Sequence, residues 1–323
     1  MLVRVTACKN RRTPHIRGGV VPMEEKLKGI VIPAVTPFDE KEEVSVEMLA
    51  ANYEKWNQTD VKGYMCLGSN GEFRALSDDE SLTVIKESAR LRKPGSTLIA
   101  GVGRESLYQT LKFIDRVQEL DADIDYISVL VPHYFAKLMD DAAVIDYYSA
   151  IGDFAKIPVL LYCAPAFANN LAISAEAVKV LADHPNIAGI KDTSKDMMNA
   201  YMDAAGGRDD FTIMAGSLSN LMTCYERGGA GGVVSAANYF PQECAEIYTA
   251  FRNGGLEAAK ECHKTVQALS KATGARGSVA GVKCTMNLLG YAGGKPRRPI
   301  QPMSAQMEAE FAQALKEAGK LES

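Results

Sequence analysis

Eight short apolar runs, each followed by an amphipathic segment, constrain the fold of this chain more than any other feature of its sequence. Each run has four to six residues, which is typical of strands buried on both faces of a parallel sheet. Eight alternations within about 210 residues match the number and spacing of a closed (β/α)8 TIM barrel. The runs are Ile30–Val35, Gly63–Leu67, Thr97–Gly101, Tyr126–Val131, Pro158–Tyr162, Ile187–Ile190, Thr212–Ala215 and Gly232–Ala236.

The segments between the runs carry signals for helix starts. Ser45–Asn57 and Ser174–Ala182 begin with serine, a preferred N-cap residue, and Ser77–Leu91 begins with a capping box in which Glu80 follows Ser77. A doubly wound open sheet is the alternative α/β architecture, but no G-x-G-x-x-G motif follows the first run. We therefore predict the barrel.

Strand signals stop after residue 240, and the rest of the chain has a helical pattern. We predict a barrel over 23–240 and an appended helical region over 241–323, which could cover the barrel, form an oligomer contact, or both. The predicted helices are Pro241–Gly254, Leu256–Thr273, Gly281–Gly290 and Ser304–Ala318.

The first 22 residues differ from the rest, because they contain five basic residues and no acidic one. Such a composition resembles a transit peptide. The stretch contains no serine and shows no apolar helical face, so we interpret 1–22 instead as a disordered N-terminal extension.

Composition excludes several classes of function. The net charge of −4 provides no cationic field for nucleic acid or anionic lipid, and no run approaches the roughly eighteen apolar residues that cross a bilayer. The seven cysteines include no C-x-x-C pair, and the four histidines show no metal-ligand spacing. We therefore predict a cytoplasmic protein that binds no metal, nucleic acid or membrane.

Two polar residues continue apolar runs at the end where barrel active sites lie. Lys191 directly follows Ile187–Ile190, and a lysine held inside the barrel mouth is deprived of water, which favours a neutral, nucleophilic amine. Tyr162 ends the preceding run and could exchange protons with that amine. The alternatives are a hydrated lysine that turns outward and an ordinary tyrosine at the core edge.

The segment after the second run, Gly68-Ser69-Asn70-Gly71, is rich in glycine and small polar residues. Its backbone N–H groups could converge on a carboxylate, with the Ser69 hydroxyl and the Asn70 amide beside them. Asn-Gly is also a common hairpin turn. The motif therefore indicates a carboxylate site only because it follows the second strand of the predicted barrel.

Together these segments resemble the dihydrodipicolinate synthase/N-acetylneuraminate lyase family of class I aldolases, from about Gly29 to about Gln301. The family patterns are G-[ST]-x-G-E at Gly68–Glu72, Y-x-x-P at Tyr162–Pro165 and G-x-K-[DE]-[ST] at Gly189–Thr193. They occur in the expected order on the expected strands.

The resemblance implies a role for each matching residue. It implies that Lys191 forms a Schiff base with a 2-oxo acid, that Tyr162 is the general acid and base, and that no other cofactor is required. It further implies carboxylate binding by Ser69 and Asn70, a proton relay through Tyr134 across a tight dimer, and a distal pocket lined by Thr193 and Gly216. The implied assembly is a homotetramer, a dimer of dimers.

Departures from the family patterns narrow the implied substrate. Phe167 stands where dihydrodipicolinate synthases place an arginine that binds a carboxylate through two N–H groups. Phe167 should make the distal pocket more apolar. Leu218 and Ser219 stand where sialic-acid lyases have an acidic pair. The sequence is most similar to 4-hydroxy-2-oxoglutarate aldolases, which share Gly68–Phe73, His184–Ile187 and the glycines around Tyr291.

The expected activity is therefore cleavage of a 4-hydroxy-2-oxo acid to pyruvate and an aldehyde, such as glyoxylate plus pyruvate from 4-hydroxy-2-oxoglutarate. Three alternatives stay open. They are a condensation of the dihydrodipicolinate synthase type, dehydration of a deoxy-keto-sugar acid on the same Schiff base, and a barrel that binds a 2-oxo acid without catalysis.

Overall fold

The computed structural model describes residues 23–322, and the proposed extension over 1–22 lies outside the described residues. Eight parallel strands close into a barrel in sequential order, with the first strand paired to the eighth. This architecture confirms the predicted (β/α)8 fold. The strands are β1 Gly29–Pro33, β2 Gly63–Cys66, β3 Thr97–Gly101, β4 Tyr126–Leu130, β5 Val159–Cys163, β6 Ile187–Asp192, β7 Thr212–Ala215 and β8 Gly231–Val233.

Side chains inside the barrel form a core of their own. Each strand contributes one inward residue to it, and Leu27 and Ala230 complete it from outside the strands. The opposite faces of the strands pack against the surrounding helices, so the strands are apolar on both faces, as their uninterrupted runs predicted. The inward residues are Val31, Met65, Ile99, Tyr126, Leu160, Ala188, Met214 and Val233.

The three barrel helices whose starts the sequence predicted begin at the predicted caps. The Ser77 hydroxyl accepts from the Glu80 N–H and the Glu80 carboxylate accepts from the Ser77 N–H, which confirms the capping box. The hydroxyls of Ser45 and Ser174 cap their helices in the same way. The helices are α1 Met23–Leu27, α2 Val46–Trp56, α3 Asp78–Leu91, α4 Leu107–Gln118, α5 Asp141–Phe154, α6 Ala175–Leu181, α7 Met198–Ala205 and α8 Leu218–Glu226.

The C-terminal region adds three helices, α9 Pro241–Ala272, α10 Ser278–Leu288 and α11 Ala305–Glu317. The two helices predicted before residue 273 form one element with a break at Gly255, whose backbone is not helical. Helix α9 packs against β1, α8 and the 3-10 helix Ser235–Asn238, so this region lies over the barrel. None of the helices between residues 23 and 322 has the length and apolarity to span a bilayer.

The end of the eighth strand differs from the prediction, which continued it to Ala236. The chain leaves β8 after Val233 and forms the 3-10 helix Ser235–Asn238. The buried Asn238 amide accepts from the Val35 N–H at 3.1 Å and donates to the Pro33 carbonyl at 2.9 Å. These bonds satisfy backbone groups beyond the end of β1, where a longer β8 would otherwise have to pair.

Candidate active site

Lys191 and Tyr162 lie side by side at the carboxyl ends of β6 and β5, where the strand register pairs them directly. The Lys191 side chain is 5% exposed, and its Nζ lies 4.1 Å from the centroid of the Tyr162 ring. The amine is therefore inside the barrel mouth and not in bulk solvent. The outward, hydrated lysine considered from the sequence does not occur.

Gly189 allows β6 to carry Lys191 to this position. A Cβ on Gly189 would lie 2.1 Å from the Thr212 carbonyl oxygen of the neighbouring strand, which is shorter than any van der Waals contact allows. Any side chain there would separate β6 from β7, whose register pairs Lys191 with Met214. The glycine in the G-x-K pattern is thus required by the close approach of two strands.

No carboxylate neutralises the Lys191 amine. Within residues 23–322, no Asp or Glu oxygen lies within 4.0 Å of its Nζ, and its hydrogen-bond contact is the Met65 thioether at 3.7 Å. The adjacent Asp192 is fully buried and accepts instead from the Ser194 N–H at 2.8 Å, and burial raises the pKa of this carboxyl. A buried amine without a bound anion is free to react with a carbonyl group that enters the cavity.

The Tyr162 hydroxyl lies in a polar cluster beside the amine. Its oxygen is 3.2 Å from the Ser69 Oγ. Burial alone would raise the pKa of this phenol, but the charge of Lys191 and interactions with the hydroxyls of Ser69 and Thr193 outweigh it, so the pKa lies below its ordinary value. A phenol with a lowered pKa next to an amine can hold or release the proton that imine formation has to move.

The loop Gly68–Glu72 brings backbone donors to the same cavity. The loop is a tight turn in which the Gly71 and Glu72 N–H groups donate to Gly68 and Ser69 carbonyls, at 3.0 and 3.1 Å. The N–H groups of Ser69 and Asn70 donate to no acceptor within residues 23–322. Two free neighbouring N–H groups beside a serine hydroxyl are suited to bind a carboxylate.

Glu72 holds this loop against α10 and the segment that contains Arg297. Its Oε1 lies 2.6 Å from the Lys283 Nζ of α10, and both side chains are buried. Its Oε2 accepts from the Arg297 N–H at 2.9 Å, and the Thr36 hydroxyl donates to the Gly71 carbonyl at 2.8 Å. Glu72 ends the motif Gly68–Glu72, but the sequence carries no signal for this role or for its partner.

The predicted substrate-binding residues surround one cavity of about 370 Å³, the lower end of the usual size for small-ligand sites. A Cβ on Gly216 would lie 2.0 Å from the Thr193 Oγ1, so this wall needs a glycine. Phe167 is 48% exposed and adds an apolar surface at the rim. The predicted residues that line the cavity are Ser69, Asn70, Tyr162, Phe167, Lys191, Thr193 and Gly216.

Tyr134 is the predicted site residue that does not line this cavity. Its side chain is 75% exposed, and its ring packs edge-on against the exposed Phe135 at 4.9 Å between centroids. The Glu105 carboxylate fixes the backbone here by accepting from the N–H groups of His133 and Tyr134, each at 3.0 Å. Because the predicted relay crosses a dimer interface, the role of Tyr134 stays a prediction about a second copy of the chain.

The sequence analysis missed the part of the cavity wall that comes from outside the strand ends. Ser235 lines the cavity and accepts from the Asn70 amide at 2.8 Å, although it had been assigned to a longer β8. The C-terminal region contributes Gln267, Ser270, Lys271 and Ser278. In the sequence these residues are ordinary polar positions on amphipathic helices, which carry no signal for a site.

A barrel that holds a lysine and a tyrosine together in its mouth is the architecture of lysine-dependent aldolases and lyases, which react through an imine. The chain belongs to the dihydrodipicolinate synthetase family, whose model matches residues 26–318. It is an enzyme of the class I aldolase and lyase type, as the sequence predicted.

Named relatives cover nearly the whole chain. A probable mitochondrial 4-hydroxy-2-oxoglutarate aldolase of Emericella nidulans is 30% identical over 92% of this chain and 96% of its own length. A 4-hydroxy-tetrahydrodipicolinate synthase of Oenococcus oeni is 27% identical over 87% of this chain and 95% of its own length. The names of these relatives therefore include the expected aldolase and the synthase that is one of its alternatives.

Solved structures show the same fold. A dihydrodipicolinate synthase from Thermotoga maritima has a TM-score of 0.84 at 23% identity and covers 91% of this chain and 99% of its own. A prophage protein of the dihydrodipicolinic acid synthase family from E. coli K12, solved with pyruvate, has a TM-score of 0.82 at 24% identity, with the same coverage. At these identities the similarity establishes the fold.

Proposed function

We propose that this enzyme cleaves a 4-hydroxy-2-oxo acid to pyruvate and an aldehyde through an imine on the Nζ of Lys191. The observation that carries the proposal is the position of a buried amine, unpaired with any described carboxylate, beside a tyrosine whose pKa is lowered. The name of the Emericella nidulans relative supports the choice of substrate.

The carboxylate of the substrate binds to the loop after β2. The free N–H groups of Ser69 and Asn70 bind it, together with the Ser69 hydroxyl. Because the Ser69 hydroxyl also contacts the Tyr162 hydroxyl, this end of the substrate places its C2 carbonyl between Tyr162 and Lys191. Positioning of this kind supplies much of the rate of a reaction between two bound groups.

The reaction begins when the amine of Lys191, having passed its proton to the Tyr162 phenolate, adds to C2 and forms a carbinolamine. Tyr162 donates a proton to the departing oxygen, water leaves, and a protonated imine results. The Tyr162 phenolate then removes the proton of the C4 hydroxyl, and the C3–C4 electron pair moves into the imine. The aldehyde departs and an enamine remains on Lys191.

The second half of the reaction regenerates the amine. The enamine is protonated at C3 by the phenol, and water adds to the resulting imine carbon. Collapse of this carbinolamine breaks the C–N bond and releases pyruvate. One water leaves and one enters, so the balance is one 4-hydroxy-2-oxo acid to one pyruvate and one aldehyde.

The open alternatives use the same amine but need different distal groups. A condensation of the synthase type is disfavoured because Phe167, at the rim of the cavity, offers no guanidinium to a substrate carboxylate. Dehydration of a deoxy-keto-sugar acid is disfavoured because Leu218 and Ser219 line the wall without an acidic group for the sugar hydroxyls. A barrel without catalysis leaves the amine and tyrosine pair unexplained.

Trapping with borohydride tests the proposal. With pyruvate present, sodium borohydride should add one reduced pyruvyl group to the protein, seen by intact mass, and peptide mapping should place it at Lys191. Incubation with 4-hydroxy-2-oxoglutarate should then yield pyruvate and glyoxylate in equal amounts. A dehydrated oxo acid as the product would establish the dehydratase instead, and no label with any 2-oxo acid would overturn the Schiff base.

A further inference from the structure

The outer wall of the cavity is built by the C-terminal region and not by the barrel. Gln267, Ser270 and Lys271, near the end of α9, line it together with Ser278, the first residue of α10. This wall stands beyond the strand ends that hold Lys191 and Tyr162. The part of a substrate that extends away from the imine therefore meets residues of α9 and α10.

The charges around the cavity have one sign. Among the described residues that line it, two are lysines, Lys191 and Lys271, and none is Asp or Glu. The remaining polar lining groups are hydroxyls and amides, which can accept or donate to an anion without repelling it. Such a cavity favours a ligand with two negative charges. The substrate carboxylate at Ser69 and Asn70 supplies one of these charges, so the second would be bound elsewhere in the cavity.

Lys271 has no partner of its own within residues 23–322. None of the ion pairs of the described chain includes it, whereas Lys260 of the same helix pairs with Glu257 at 2.7 Å. Gln267, one turn before Lys271, is uncharged, and the helix ends one residue after Lys271, at Ala272. Its ammonium group is available to a ligand that enters the cavity.

The start of α10 adds positive potential at the same place. Its N-cap is Gly277, which has no side chain to accept from the first N–H groups of the helix. Ser278 and Val282, in the first turns, line the cavity. The helix start, with its partial positive charge, therefore borders the same cavity as Lys271.

We propose that Lys271 binds a second carboxylate at the end of the substrate remote from Lys191. The preferred substrates are then dicarboxylic 4-hydroxy-2-oxo acids, whose cleavage releases pyruvate and an aldehyde that carries a carboxylate, such as glyoxylate. This assignment rests on the proposed function and names its substrate class. It also explains how a site with Phe167 at its rim can hold a distal anion.

Two substrates that differ only at the distal end test the proposal. They are 4-hydroxy-2-oxoglutarate and 4-hydroxy-2-oxopentanoate, in which a methyl group replaces the distal carboxylate. Lys271→Met should lower kcat/KM for the dicarboxylate about tenfold, mainly through KM, and leave the monocarboxylate unchanged. Lys271→Arg should retain the preference, since it keeps the charge. The matched control is Lys264→Met, an exposed lysine of the same helix outside the cavity, which should change neither substrate.

The outcomes separate this proposal from the function on which it rests. Pyruvate trapping with borohydride uses only the Lys191 end of the site, so wild type and Lys271→Met should label equally. If both label and Lys271→Met treats the two substrates as wild type does, the distal site is wrong and the Schiff base stands. An equal loss on both substrates would likewise overturn the distal role. If wild type itself does not label, both proposals fall.

Discussion

Two lysines are buried near the mouth of this barrel, and their surroundings are opposite. Lys283 is 0% exposed and is surrounded by acceptors, with the Glu72 carboxylate at 2.6 Å and the Thr36 and Lys295 carbonyls at 2.8 and 3.0 Å. Lys191 is 5% exposed and has a thioether and an aromatic ring as neighbours. Of these two lysines, Lys191 lines the cavity and Lys283 does not.

The comparison shows that two lysines can both be buried and still differ in whether their ammonium donors have acceptors. Burial lowers the pKa of Lys283, but its ion pair with Glu72 opposes this effect. An ammonium group has three donors, and Lys283 has an acceptor for each of them. Lys191 has donors without acceptors and lines the cavity, so we propose Lys191 as the reactive lysine and a structural role for Lys283.

The largest expected difference between the two lysines is in turnover. Lys191→Met should lower kcat by at least about 10³-fold, because it removes the group that forms the covalent intermediate. Lys283→Met should still form the pyruvyl adduct at Lys191. The measurement is steady-state cleavage of 4-hydroxy-2-oxoglutarate combined with borohydride labelling and intact mass.

Thermal unfolding of both variants is the control, since a variant that is unfolded at the assay temperature reveals nothing about chemistry. A folded Lys191→Met enzyme that still acquires the label would place the reactive amine elsewhere. Label on Lys283 in the wild type would reverse the assignment of the two lysines.

The effects of the two variants on the free energy of unfolding should have the opposite order to their effects on turnover. Lys283→Met leaves Glu72 buried without its cation and should lower the free energy of unfolding by about 3–5 kcal/mol. Lys191→Met leaves no carboxylate unpaired and should change it by less than about 1.5 kcal/mol. Urea unfolding followed by circular dichroism measures both values.

A double variant tests whether Lys283 and Glu72 act as a pair. Glu72→Gln combined with Lys283→Met removes both charges, so it should cost less than the sum of the two single variants. Additive costs would mean that the 2.6 Å contact contributes nothing of its own, and the contrast between the two lysines would then rest on the cavity alone.

The sequence predicted the reactive lysine better than the structural one, for a physical reason. Consecutive strands are neighbours in a barrel, so residues at the ends of the fifth and sixth apolar runs have to meet, and Tyr162 and Lys191 do. The run Ile187–Ile190 also predicted the burial of the lysine that follows it. Strand alternation thus predicted the fold and the centre of the candidate site.

The parts that the sequence did not predict depend on contacts between distant segments. Lys283 lies on a helix whose pattern shows only that it is amphipathic, and nothing local links it to Glu72. The cavity wall at Lys271 depends on how α9 packs over the barrel. The early end of β8 depends on Asn238, whose bonds to the end of β1 have no counterpart in strand periodicity.

The smallest expected effect is on the pKa of the Tyr162 phenol, which depends on the charge of Lys191. In the wild type, burial by itself raises the pKa of Tyr162, but the charge of Lys191 and the hydroxyls of Ser69 and Thr193 together outweigh it. Lys191→Met removes that charge and leaves the burial, so the pKa of Tyr162 should rise above its ordinary value. Lys283→Met should leave the pKa of Tyr162 lowered, because Lys283 is not among the groups that lower it.

Ultraviolet difference titration measures this pKa, with Tyr162→Phe versions of each protein subtracted to isolate one phenol among thirteen tyrosines. In the wild type the phenolate of Tyr162 should form at a lower pH than an unperturbed tyrosine, and in Lys191→Met at a higher pH. An unchanged titration in Lys191→Met would mean that the amine carries no charge in the free enzyme. Proton exchange between the two side chains would then be absent from the resting site, and the low pKa of Tyr162 would need another source, with the hydroxyls of Ser69 and Thr193 as the remaining candidates.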